Sequence, residues 1–139
     1  MSAPDAAVQM PMVEVSWGDL VDKLTILEIK AQRLTAPTAV ANVRKELTAL
    51  QSVLQRLQPR PAELDALKAQ LKSVNQSLWD VEDQIRAKEA AQSFDRGFIE
   101  LARAVYFNND QRARLKREIN VLLKSELVEE KQYTDYSPR

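Results

Sequence analysis

The chain is 139 residues long, carries 20 Lys plus Arg against 20 Asp plus Glu, and has no His and no Cys. The length fits one domain, and the missing thiols and imidazoles exclude disulfide frameworks, Cys or His metal sites, a Ser-His-Asp triad and the ordinary near-neutral proton shuttle. Two glycines leave no Gly-rich phosphate loop, and a net charge of 0 disfavours bulk electrostatic capture of nucleic acid.

Ala and Leu are the commonest residues, 17 each, so the expected fold class is all-α. No apolar run approaches the ~20 residues of a membrane span, so no membrane insertion is expected. Residues 1–12 contain Pro4 and Pro11 and no basic stretch ahead of an apolar one. They read as a flexible tail rather than a secretory signal. Together with the lack of Cys, this points to the cytoplasm.

Ser16 is placed to cap a first helix, with Asp19 in a capping-box arrangement and Val15 and Leu20 at the hydrophobic-staple positions. Leu20, Leu24, Leu27, Ala31 and Leu34 predict a helix over 17–34 that stops before Pro37. Residues 12–15 are open as a short strand. A second helix over 38–57 follows from Val40, Val43, Leu47, Leu50, Leu54 and Leu57. Pro59 and Pro61 break it, since each lacks an amide donor and restricts its predecessor. The third helix starts near Ala62. Its seam is Leu64, Leu67, Leu71, Val74, Leu78, Val81 and Ile85, in unbroken 3-4 spacing, the narrow stripe of a coiled-coil hairpin. A turn at 93–97 leads to a fourth helix over 98–124, with Phe98, Leu101, Ala102, Val105, Leu115, Ile119 and Leu122 on one face. The end, 126–139, is an acidic tail holding Tyr133 and Tyr136. It extends the last helix, pairs as a strand with residues 13–15, or wraps the bundle.

Residues 13–125 are thus expected to form one antiparallel bundle of about four helices. A long hairpin projects from it, and the leftover apolar stripe of that hairpin invites self-association, a dimer first. With the hairpin closing near Phe94, residues whose numbers sum to about 190 face each other, so Asp80 approaches Asp110 and the basic block faces residues 67–78.

That basic block is Arg112, Arg114, Lys116 and Arg117. Consecutive helical residues turn by about 100°, so these four share no face. The pairs Asp110–Arg114 and Arg114–Glu118 favour a solvated helix face over nucleic-acid binding. Asp80 and Asp83 share a face, but Glu82–Arg86 is a ready surface pair, so no metal and no cofactor are expected. More informative is the interruption of the fourth seam by Asn108, Asn109, Asp110 and Arg112. Three readings stand: a buried polar network that fixes register, a helix break capped by Asn109, or a pocket where Arg112 meets an anionic ligand. The candidate cluster is Asp22, Lys23, Asp80, Asp83, Arg103, Asn109, Asp110 and Arg112. Trp17 and Trp79 read as core or interface anchors ahead of ligand stackers.

Four blocks in order carry a resemblance: SWGDLVDKLTILEIK (16–30), LWDVEDQIR (78–86), FIELARAVYFNNDQRARLKREIN (98–120) and SELVEEKQY (125–133). They resemble a small bacterial family of unknown function over about half of the chain. The matching motif positions are Trp17, Asp22, Lys23, Glu28, Trp79, Asp80, Glu82, Asp83, Arg86, Asn109, Asp110, Arg112, Arg117, Glu129, Glu130 and Lys131. The resemblance implies company with glycosyltransferases or repeat proteins of cell-surface polysaccharide assembly, and no activity. It also implies Gly where this chain has Lys124, so the turn after the fourth helix is a point of departure. All-helical chorismate mutases are similar in architecture only, because their ordered arginine and acid pattern maps onto neither 19–30 nor 75–86.

These readings favour a non-catalytic accessory or interaction module, a homo-oligomer with room for another protein partner. The first alternative is an anionic small-molecule site, or a cofactor-free enzyme, built on the candidate cluster. The second is nucleic-acid binding through the fourth helix.

Overall fold

The computed structural model describes residues 8–127 and 129–136. Part of the expected N-terminal tail (1–7) and parts of the acidic tail (128 and 137–139) lie outside the described residues. The chain is all-α: α1 (Trp17–Arg33), α2 (Pro37–Gln55), α3 (Ala62–Ala90) and α4 (Arg96–Leu122). No strand forms among the described residues. The expected short strands are therefore corrected. Val13 and Val15 are exposed, and the tail spends its side chains on α4 instead.

The start of α1 is fixed locally and at long range. Ser16 Oγ accepts from the Asp19 amide at 3.0 Å. The Trp17 amide donates to Ser125 Oγ at 2.9 Å, and the Gly18 amide to Asn120 Oδ1 at 2.7 Å. Three otherwise orphaned helix-start donors are thus satisfied, two by the far end of α4 and its exit. A Cβ on Gly18 would lie 2.5 Å from the Lys116 carbonyl oxygen and 2.9 Å from Asn120 Oδ1, so this approach requires glycine. The staple is incomplete: Leu20 is buried, but Val15 is 55% exposed.

α1 is the central helix. It runs beside α2, α3 and α4, α3 pairs with α4, and α2 lies along α1 alone among the described residues. It buries two stripes, Leu20–Leu24–Leu27 and Gly18–Asp22–Thr25–Ile29. The core gathers Val21, Leu24, Leu54, Leu64, Leu71, Leu115 and Ile119, each side chain worth about 1.5–3 kcal/mol when fully buried. All of them lie at one end of the bundle. α3 beyond Asn75 and α4 before Leu115 hold no buried residue. The hairpin continues there as two helices with half-buried seam residues, and Phe94, Ile99, Tyr106 and Phe107 stay 41–55% exposed.

Two turns share one device. After α3, the Ser93 amide donates to the Lys88 carbonyl at 2.9 Å and Gln92 has φ 52°. After α4, the Ser125 amide donates to the Asn120 carbonyl at 2.8 Å and Lys124 has φ 54°. Both are Schellman motifs, whose left-handed position favours glycine. The turn after α4 thus keeps a glycine's backbone with a lysine in it. At the start of α4, the Lys88 ammonium and the Phe98 amide hold the Asp95 carboxyl at about 2.

Candidate functional site

α4 runs unbroken from Arg96 to Leu122, which removes the helix-break reading of its polar interruption. Arg112 reaches across to α1, where its Nε and one terminal nitrogen donate to the two carboxylate oxygens of Asp22 at 2.9 and 2.5 Å. Asn75 of α3 donates through Nδ2 to Asp22 Oδ1 at 3.0 Å and to Thr25 Oγ1 at 2.9 Å. The Thr25 hydroxyl donates in turn to the Asp22 backbone carbonyl at 2.7 Å. Asp22, Thr25 and Asn75 are buried, so three helices are tied together by one bidentate pair and one amide. The hydrogen bond to Asp22 raises the Arg112 pKa against the opposing effect of burial.

Asn75 and Arg112 of this network also line an open cleft of about 430 Å³ between α1 and α3. Ile26, Ile29 and Lys30 of α1 line one side; Leu78, Trp79, Glu82, Asp83 and Arg86 line the other; Asn75 and Arg112 complete it. Outside it, the Arg33 guanidinium lies 5.8 Å from the Trp79 ring centroid and binds Asp80 Oδ1 at 2.6 Å.

The acidic tail lies antiparallel along α4. Glu129 accepts from Lys116 at 2.8 Å, Glu130 from Arg117 at 3.2 Å, and Tyr136 donates to Asp110 at 2.5 Å while its ring packs on Tyr106 and Phe107. A cavity of about 870 Å³ opens between the tail and the helix. Burial pulls Lys116 down, but Glu129 and Asp19 outweigh it and its pKa is raised. The same Lys116 bond lowers Glu129, and the bond to Asp110 raises Tyr136.

The family model that fits this sequence covers residues 11–138. The chain belongs to DUF6165, a family of unknown function. No curated protein and no solved structure matches it.

Within this DUF6165 chain the candidate residues separate into five places. Asp22 and Arg112 meet in the buried network, and Asp83 stands on the rim of the cleft above it. Asp80 is turned to Arg33, Lys23 is exposed and pairs with Glu46 of α2, and Arg103 stacks 5.5 Å from the Phe107 ring centroid. Asn109 and Asp110 line the cavity under the tail. Every base of the basic block is engaged: Arg112 by Asp22, Arg114 by Glu118, Lys116 by Asp19 and Glu129, Arg117 by Glu130.

Asn75, Thr25 and Asn120 were not among the sequence candidates. A signal for two of their settings exists on α1, where Gly18, Asp22, Thr25 and Ile29 form a second 4-3-4 stripe of small and polar residues beside the Leu stripe. Glu28 completes the ties of α1 to α3, with Lys68 and Lys72 at 3.2 and 4.0 Å.

Proposed function

We propose that the chain is a non-catalytic helical interaction module that self-associates through its projecting hairpin. The observation that carries this reading is the strip Phe94, Ile99, Tyr106 and Phe107, exposed on a hairpin that buries nothing beyond Asn75 and before Leu115. Exposed apolar and aromatic side chains repeated along one hairpin support an association site. A second copy suits it. The net charge of 0 sets no overall repulsion between copies, and the strip carries both signs. In an antiparallel two-fold pairing, Ile99 of one copy meets Phe107 of the other, and Arg96 meets Asp110. Arg112, the strongest candidate for chemistry in the sequence, already has two of its donors on Asp22, which supports a structural rather than catalytic part for it. The engaged basic block supports leaving nucleic acid out of the reading. The family resemblance supports a place beside bacterial surface-polysaccharide assembly, and the lack of Cys supports a cytoplasmic one. No helix among the described residues is long and apolar enough to cross a membrane.

Light scattering across a concentration series tests the reading. The expected mass rises toward twice 15.8 kDa, and Ile99→Glu returns it to 15.8 kDa without loss of helicity. A wild-type mass of 15.8 kDa at every concentration would overturn it.

A further inference from the structure

We propose that the cleft between α1 and α3 binds a small hydroxylated ring that carries a carboxylate or phosphate. This goes beyond self-association and does not depend on it. Trp79, Glu82, Asp83 and Arg86 stand at i, i+3, i+4 and i+7 on α3, so a continuous aromatic and charged stripe runs beside the apolar seam. Such a stripe on a solvated face needs no indole. Here the indole lines a concavity, with Ile29 opposite it on α1.

The site is arranged before any ligand arrives. Asp80 holds Arg33 at 2.6 Å, and Arg33 lies over the Trp79 ring without lining the cleft, so the indole is braced from outside. Asp22 occupies Nε and one terminal nitrogen of Arg112. A guanidinium has five N–H donors, and this one is 31% exposed and lines the cleft, so donors remain for a ligand in a fixed orientation. Preset donors and a preset ring lower the ordering cost of binding.

The charges select the ligand class. Lys30 makes no ion pair among the described residues and lines the same wall, which leaves it to take an anion beside Arg112. Asp83 likewise has no ion pair among the described residues, and a carboxylate accepts from ligand hydroxyls. Arg86 is already shared with Glu82 at 3.4 Å. Both signs within about 430 Å³ fit one ring with an acidic group and hydroxyls, stacked by its C–H face on Trp79. A nucleic-acid backbone calls for one sign only.

The test follows the two indole N–H resonances of the full chain by nitrogen-15 NMR, assigned with Trp79→Phe, during titration with glucuronate, glucose 1-phosphate, glucose and inorganic phosphate. The Trp79 resonance is expected to shift and saturate with glucuronate or glucose 1-phosphate, whichever anion the site prefers, while the Trp17 resonance stays still. Glucose and inorganic phosphate are expected to bind at least about tenfold more weakly, and Lys30→Gln to weaken the acidic sugar by about tenfold or more. Lys30 is outside the buried network, so this variant keeps the fold. A Trp79 resonance unmoved by both acidic sugars overturns the proposal. So does an unchanged titration in Lys30→Gln, or glucose binding as tightly as glucuronate.

Discussion

The base of the bundle and the distal hairpin share one heptad seam and treat it differently. At the base, Leu64, Leu71, Leu115 and Ile119 are each 0–1% exposed because α1 lays a third helix across the α3–α4 groove. Farther out, Leu78, Val81, Ile85, Leu101 and Val105 occupy the same kind of position yet remain half-buried, because an open cleft separates α1 from Leu78 and α1 ends at Arg33. A heptad stripe specifies that two helices pair; it does not specify how many further helices cover the pair. The Asp22–Arg112–Asn75 network sits where full burial ends, Asn75 being the last buried residue of α3 and Leu115 the first of α4.

The largest difference between the two regions is expected when their ion pairs are broken. Asp22→Ala leaves a half-buried guanidinium without its carboxylate and a buried amide with Thr25 alone as acceptor, and is expected to cost about 3 kcal/mol in urea unfolding. Asp80→Ala breaks the more exposed Arg33 pair and is expected to cost less than about 1 kcal/mol. Equal losses would erase the distinction. Apolar truncation sharpens it: Leu71→Ala is expected to cost about 3 kcal/mol and Ile85→Ala about 1 kcal/mol by the same measurement. Gly18→Ala, at the tightest helix contact of the base, is expected to cost about 2 kcal/mol, since backbone and a buried amide must move for the new methyl.

A smaller effect runs the other way. Lys124→Gly relieves the left-handed position after α4 and is expected to add about 1 kcal/mol to thermal stability. The tail should respond to pH at both extremes. Glu129 has a lowered pKa, so its bond to Lys116 contributes fully above its ordinary 4.5 and is lost as pH falls through the lowered value. Tyr136 has a raised pKa, so its bond to Asp110 contributes fully below 10.0 and is lost as pH rises through the raised value. Carbon-13 relaxation of residues 129–136 is expected to show a looser tail at both ends of the pH range and a steady one between them, with little change in the base.

What could be read in the sequence was what neighbouring residues decide. Ser16 caps α1, Pro37 starts α2 and the 3-4 seam of α3 pairs with α4, each within a few residues of where the pattern placed it. The polar interruption at Arg112 pointed to a real junction, but its partners lie 90 residues away at Asp22 and, through Asp22, at Asn75. No local pattern on α3 names Asn75, which falls beside the seam rather than on it. Asp80 was expected near Asp110 from the hairpin register. It lies off the seam and turns to Arg33, while Asp110 takes the Tyr136 hydroxyl of a tail whose path periodicity could not foretell.

Native-state hydrogen exchange at two protein concentrations tests the contrast between the regions most directly. Amides near Leu115 and Ile119 should show the slowest exchange, unaffected by concentration. Amides over 96–107 should exchange faster in dilute solution and gain protection as the chain is concentrated. Uniform protection along α4, unchanged by concentration, would contradict both the two-helix hairpin and its part as the surface between copies.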